Sequence, residues 1–196
     1  MKRNIITAIL MTVVTTILFG LVYPLVVTGL AQLIFPGKAN GQLIVRDGKV
    51  IGSRIIAQPF TGAGYFHPRG SAAGTNGYDA SNSGATNLGP TNHTLTDRVK
   101  QDVAAANTEN PAKPVPVDYV TTSASGLDPD ITPANAEFQA PRVAKERGVS
   151  EDQILALVNS HTQERQFQLL GEARVNVLEL NLDLDSKYPL QKRASR

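Results

Sequence analysis

Three histidines and one group of aspartates are the side chains of this 196-residue sequence that could do chemistry. His67, His93 and His161 stand 26 and 68 residues apart, unlike the short intervals that gather imidazoles around a metal, so surface or internally satisfied histidines are expected. His161 and Glu164, three apart, become neighbours only if a helix continues through both. Asp118, Asp128 and Asp130 fall in a Pro-rich region and could hold a cation through carboxylates and carbonyls; ordinary turn chemistry accounts for the same residues. With no cysteine, disulfides, thiolate nucleophiles and thiolate metal sites are excluded. The sequence also lacks a phosphate loop ending in Lys-Ser or Lys-Thr, a serine nucleophile elbow and a helical His-Glu-x-x-His. No catalytic residue and no metal ligand set is therefore expected, and no residue is assigned to a cofactor.

The elements that must position any site begin with the N-terminus. No charged residue occurs from Asn4 to Gly37, and Ile5 to Val27 alone exceeds the roughly 20 residues needed to cross a bilayer. Lys2 and Arg3 precede the segment, so the positive-inside tendency puts the N-terminus in the cytoplasm and the rest outside, in the periplasm or at the external surface. Gly29 and Ala31 offer an alternative, a cleaved signal peptide, although the apolar stretch is long for one. Ala8, Thr12, Thr16 and Gly20 repeat every fourth residue, a spacing that lets a partner helix approach closely. Gly20, Pro24 and Gly29 are positions where the helix could bend. Beyond residue 37 the chain holds 17 basic and 17 acidic residues, a balance that argues against nucleic acid and against a polybasic lipid-binding face.

Leu43 to Ile51 reads as a β-hairpin turning at Asp47-Gly48, and Ile55-Ile56 as a further strand. Thr61 to Asn92 is rich in Gly, Ser, Thr and Asn without apolar period, a long loop whose interleaved aromatics favour ordered docking. Thr91 to Ala106 is helical, with Leu95, Val99 and Val103 on one stripe, and Val115 to Val120 is a short strand. A helix starts at Thr132-Pro133, carries Pro141 in its middle and ends near Gly148. The next is marked by a Ser150/Gln153 capping box and a Val149/Ile154 staple. Val175 to Leu184, with leucines at 178, 180, 182 and 184, reads as a half-buried strand. The expected class is α+β: a transmembrane helix over 1–36, then one mixed α/β extracytoplasmic domain over 37–196 with long Gly-rich loops and a flexible tail from about 186.

Several blocks in order resemble the KdpC family, the C subunit of bacterial high-affinity potassium-transporting P-type ATPases. They are Tyr65 to Ala72, Ser83 to Asn92, Val115 to Asp118, Thr121 to Asp128, Ile131 to Pro133, Arg142 to Ala144 and Gly171 to Leu182. Gly70 stands where the family usually has proline, and Ala85 where it usually has a second glycine. The resemblance implies a noncatalytic inner-membrane subunit, partnered by a channel-like potassium-translocating subunit and a P-type ATP-hydrolysing subunit. It also implies a catalytic-chaperone role that raises the ATP affinity of the hydrolysing subunit. A domain outside the membrane cannot reach cytoplasmic ATP, so no tightly bound cofactor is expected and ATP enters only through the partner ATPase. Membrane lipid surrounds the helix. Tyr65, Phe66, Arg69, Ser71, Asn87 and Leu88 form the candidate docking loop near the potassium entrance. The alternative is a secreted or membrane-anchored periplasmic binding protein.

Overall fold

The computed structural model describes residues 1–190 and divides the chain into two compact units, Met1–Ser53 and a second that begins at Arg54. The first contains α1 (Lys2–Ile17), a π-helical turn (Leu18–Val22) and α2 (Tyr23–Ile34), which join into one apolar helix of 33 residues. At 1.5 Å per residue that is about 50 Å, more than a hydrocarbon layer requires. The π turn has a local cause. Pro24 lacks an N–H and its ring crowds the carbonyl four residues back, that of Gly20, and widening the turn around Gly20 relieves both.

After a short helix α3 (Pro36–Ala39), β1 (Leu43–Arg46) and β2 (Lys49–Ser53) form the expected antiparallel hairpin. Asp47 (φ 53°) and Gly48 (φ 74°) are both left-handed, as a two-residue turn matched to strand twist demands. The strand expected at Ile55-Ile56 does not form. There the chain turns, with the Arg54 carbonyl accepting from Asn176 Nδ2 at 2.8 Å and the Ala57 N–H donating to Leu127 at 3.0 Å.

In the second unit, α4 (His93–Glu109) starts at Asn92, whose side chain accepts from the Thr94 N–H. Val115 to Val120, expected as a strand, instead closes one helical turn, α5 (Val117–Val120). Pro116 sets its entry at φ −66°, and Thr121 N–H reaches back to the Val117 carbonyl. Three short strands, β3 (Asp130–Ile131), β4 (Thr162–Gln163) and β5 (Arg174–Asn176), make an antiparallel sheet in the order β3-β5-β4.

The core lies among three helices and this sheet, centred on Phe66, Ile131, Val143, Ile154, Val175 and Leu180. Helix α6 (Pro133–Arg147) has the expected Thr132 cap and Pro133 opening, and it ends at Gly148 with φ 69°. Pro141 deprives the Glu137 carbonyl of its helical donor, and Lys113 Nζ supplies another at 3.2 Å. Helix α7 (Glu151–His161) has both bonds of the capping box, with Val149 packed against the core that holds Ile154.

The strand expected over Val175 to Leu184 is only β5; from Val177 the chain is helix α8 (Val177–Lys187). Alternating leucines hid a second period, since Val177, Leu180, Asn181 and Leu184 are the buried helical stripe. Asn176, accepting from the Glu179 N–H at 3.1 Å, caps it. Tyr188 still packs against the core; the remainder of the tail expected from about 186 falls on 191–196, outside the described residues.

Candidate functional site

Among the described residues, 54–92 form neither helix nor strand, apart from a single bridge between Gly70 and Thr122. Side chains from α6 and α8 supply what a sheet ladder would. The carbonyls of five successive residues are each taken by a side-chain donor. Arg142 Nη1 donates to Ala63 and Tyr65, at 2.6 and 2.9 Å, and Arg147 Nε to Gly64 at 2.7 Å. Asn181 Nδ2 donates to Phe66 at 2.9 Å, and Gln139 Nε2 to His67 at 3.1 Å. The two amides also accept from the N–H groups of the residues they hold, Phe66 to Asn181 Oδ1 and His67 to Gln139 Oε1. Gln139 and Asn181 thus imitate a neighbouring β-strand from within helices. Both are buried, so each of their bonds is made where an unpaired partner would be costly.

Arg147 is the most enclosed ion of the site. Its side chain is fully buried, pairs with Asp185 at 2.9 Å, donates to the Tyr188 carbonyl at 2.7 Å and lies 4.8 Å from the Tyr65 ring centroid. The far end of the loop is sewn to residues 121–128. Arg69 pairs with Asp128 at 3.0 Å and donates to the Thr122 carbonyl. Ser71 Oγ donates to the Gly126 carbonyl at 2.6 Å and accepts from the N–H groups of Ala73 and Tyr78. Gly126 sits where the two segments meet, at φ 69°, and a Cβ there would lie 2.7 Å from Ala73 and 2.8 Å from the Gly84 carbonyl.

Beneath this loop is a cleft of about 340 Å³, between His67 to Gly70 on one side and α4 and α5 on the other. Glu109 accepts from Arg142 Nε at 2.7 Å and from the Tyr119 hydroxyl at 2.9 Å. Burial, then Glu109, pushes the Tyr119 hydroxyl up to about 12. Burial, then the Arg142 charge, lowers His67, which is neutral at pH 7 while its Nε2 lies 3.1 Å from the Gly62 carbonyl.

The six docking candidates are placed unequally. Phe66 is fully buried, a core residue whose ring cannot face a partner. The Tyr65 hydroxyl donates to Asp185, while Arg69 and Ser71 make the internal bonds above. Asn87 is exposed with φ 53°, and Leu88 is half-buried. On the apolar helix, Ala8, Thr12, Thr16 and Gly20 are all exposed. Thr12 Oγ1 donates back to Ala8 at 2.9 Å, leaving its lone pairs for a donor on a partner.

No group of three or more acidic or histidine ligands that could hold a metal occurs among the described residues. Asp118 takes the N–H and hydroxyl of Thr132 and the amide of Asn135, Asp128 pairs with Arg69, and Asp130 with Arg174. His161 ends its helix and meets Asp183 at 2.9 Å instead of Glu164. The arrangement holds a loop in one shape, with Arg69, Arg142, Arg147, Asp118, Asp128 and Asp130 all engaged internally. Sequence reasoning missed Gln139 and Asn181 as loop holders. Their one legible signal was an amide inside an apolar helical stripe.

Comparison with known proteins is consistent along nearly the whole chain. The family model described as K+-transporting ATPase, c chain, KdpC, matches residues 5–186. A potassium-transporting ATPase KdpC subunit of Koribacter versatilis is 68% identical over 97% of this chain and 98% of its own. Those of Acidobacterium capsulatum and Rhodospirillum rubrum are 58% and 55% identical, over 93% and 97% of this chain and 97% and 99% of theirs.

Proposed function

Since this chain belongs to the KdpC family, we propose that it is a noncatalytic accessory subunit of an ATP-driven potassium uptake pump. The observation that carries the proposal is the family match over residues 5–186, which spans both the apolar helix and the second unit. The helix Lys2–Ile34 anchors the chain once across the inner membrane, with Lys2 and Arg3 in the cytoplasm and the domain in the periplasm or outside. Its small-residue face, Ala8, Thr12, Thr16 and Gly20, packs against a partner helix. The loop held by α6 and α8 docks through the exposed Asn87 and the half-buried Leu88 beside it on the external face of a channel-like potassium-translocating subunit. The P-type ATP-hydrolysing subunit completes the complex.

The effect on ATP affinity is transmitted through these contacts, because a domain across the membrane from the nucleotide cannot bind it directly. The bonds that hold residues 63–84 support this reading, since a fixed base for the docking residues reduces the entropy lost on docking. The test is purification of the pump from cells with and without this chain. Copurification in mild detergent and a several-fold fall in potassium-stimulated ATP hydrolysis on its omission are expected; independent migration with unchanged hydrolysis overturns the proposal.

A further inference from the structure

The segment joining β4 to β5 is built unlike the rest of the surface. The backbones of Gln166 and Leu170 exchange two hydrogen bonds of 2.9 Å, closing a narrow loop. Within it Phe167 (φ 53°) and Gln168 (φ 60°) are successive left-handed residues, neither of them glycine. An aromatic side chain disfavours that conformation, and such strain persists where the surroundings impose it and a surface needs it. Its result is to project Phe167, 91% exposed, with Leu169 at 77% and Leu170 at 57%, in contrast to the nearby buried Val175. Three large apolar side chains on one rigid tip form the kind of anchor that fills a pocket at the centre of an interface.

We propose that this tip is a wedge that seats in an apolar pocket on an extramembrane part of another subunit of the same pump. The charges around it favour protein over a lipid surface. Arg165 pairs with Glu172, Arg174 pairs with Asp130 at 3.2 Å, and Glu164 adds negative charge, so the tip carries no cationic cluster to draw it to anionic headgroups. Family membership supplies the partner, since a chain of this family is by its description one component of a larger ATPase. The inference rests on the accessory-subunit reading but uses a different surface from the loop at Asn87 and Leu88.

The test places a photoreactive phenylalanine analogue at position 167 of the full chain in the assembled pump in native membranes, with a parallel probe at position 88. An adduct with another pump subunit from position 167 is expected. The double variant Phe167→Ser, Leu169→Ser should lower the affinity of reassembly at least ten-fold while the melting temperature of the chain alone is unchanged. Adducts with lipid only, or wild-type affinity in the double variant, overturn the wedge. Protein adducts from 88 but none from 167 overturn the wedge and leave the loop docking standing; the reverse overturns the loop docking alone.

Discussion

Arg147 is the residue on which the entry to the loop most depends. Changing it to Met keeps its bulk but leaves the carbonyls of Gly64 and Tyr188 without their donor inside the protein. Breaking a buried ionic network from one side costs about 3 kcal/mol, and a urea titration of Arg147→Met should show a loss of that order. Gly126 is constrained by space and by backbone sign together. Gly126→Ala should be destabilised by at least about 2 kcal/mol, because the new methyl meets backbone on two sides. His67 adds a pH dependence whose sign follows from its lowered value. Well above pH 6.5 it is neutral whether folded or unfolded; as pH falls, the unfolded chain takes up the proton first, so the fold loses stability. The urea midpoint should fall between about pH 7.5 and pH 5.5, and less steeply in His67→Gln.

Elements with local punctuation were legible in the sequence, and those decided by tertiary partners were not. Ser150 with Gln153, Thr132-Pro133 with Gly148, and Asp47-Gly48 each state a boundary in side-chain chemistry, and each boundary stands in the structure. The alternating leucines after Val177 fit a strand and a helix equally on paper. The Asn176 cap and the burial of Asn181 decide for helix, and only the loop that Asn181 serves explains a buried amide there. The loop's length was readable from its composition. Its fixed shape was not, because the groups that hold it lie 53 to 115 residues away. Hence Phe66, placed among the docking residues by its loop position, is core. In the apolar N-terminal helix, larger side chains at Thr12, Thr16 and Gly20 should weaken copurification with the pump several-fold. Unchanged recovery would dismiss the helix-packing face.

For the whole molecule, an apolar helix with its side chains exposed and a second unit with its own core are both covered by the family match. Asp118, Asp128, Asp130 and His161 are each bonded internally, which suits the proposed accessory role. Accessory action through external contact then has a kinetic consequence. On the proposed reading, the chain changes how the pump uses ATP without meeting the nucleotide. The most direct measurement is the ATP concentration that half-saturates potassium-stimulated hydrolysis by the purified pump, taken with wild-type chain and with a chain whose Asn87 and Leu88 are replaced by Asp. Docking through the domain predicts a several-fold higher requirement for ATP in the variant while its helix still holds it in the membrane. An unchanged requirement in a variant that remains assembled would contradict it.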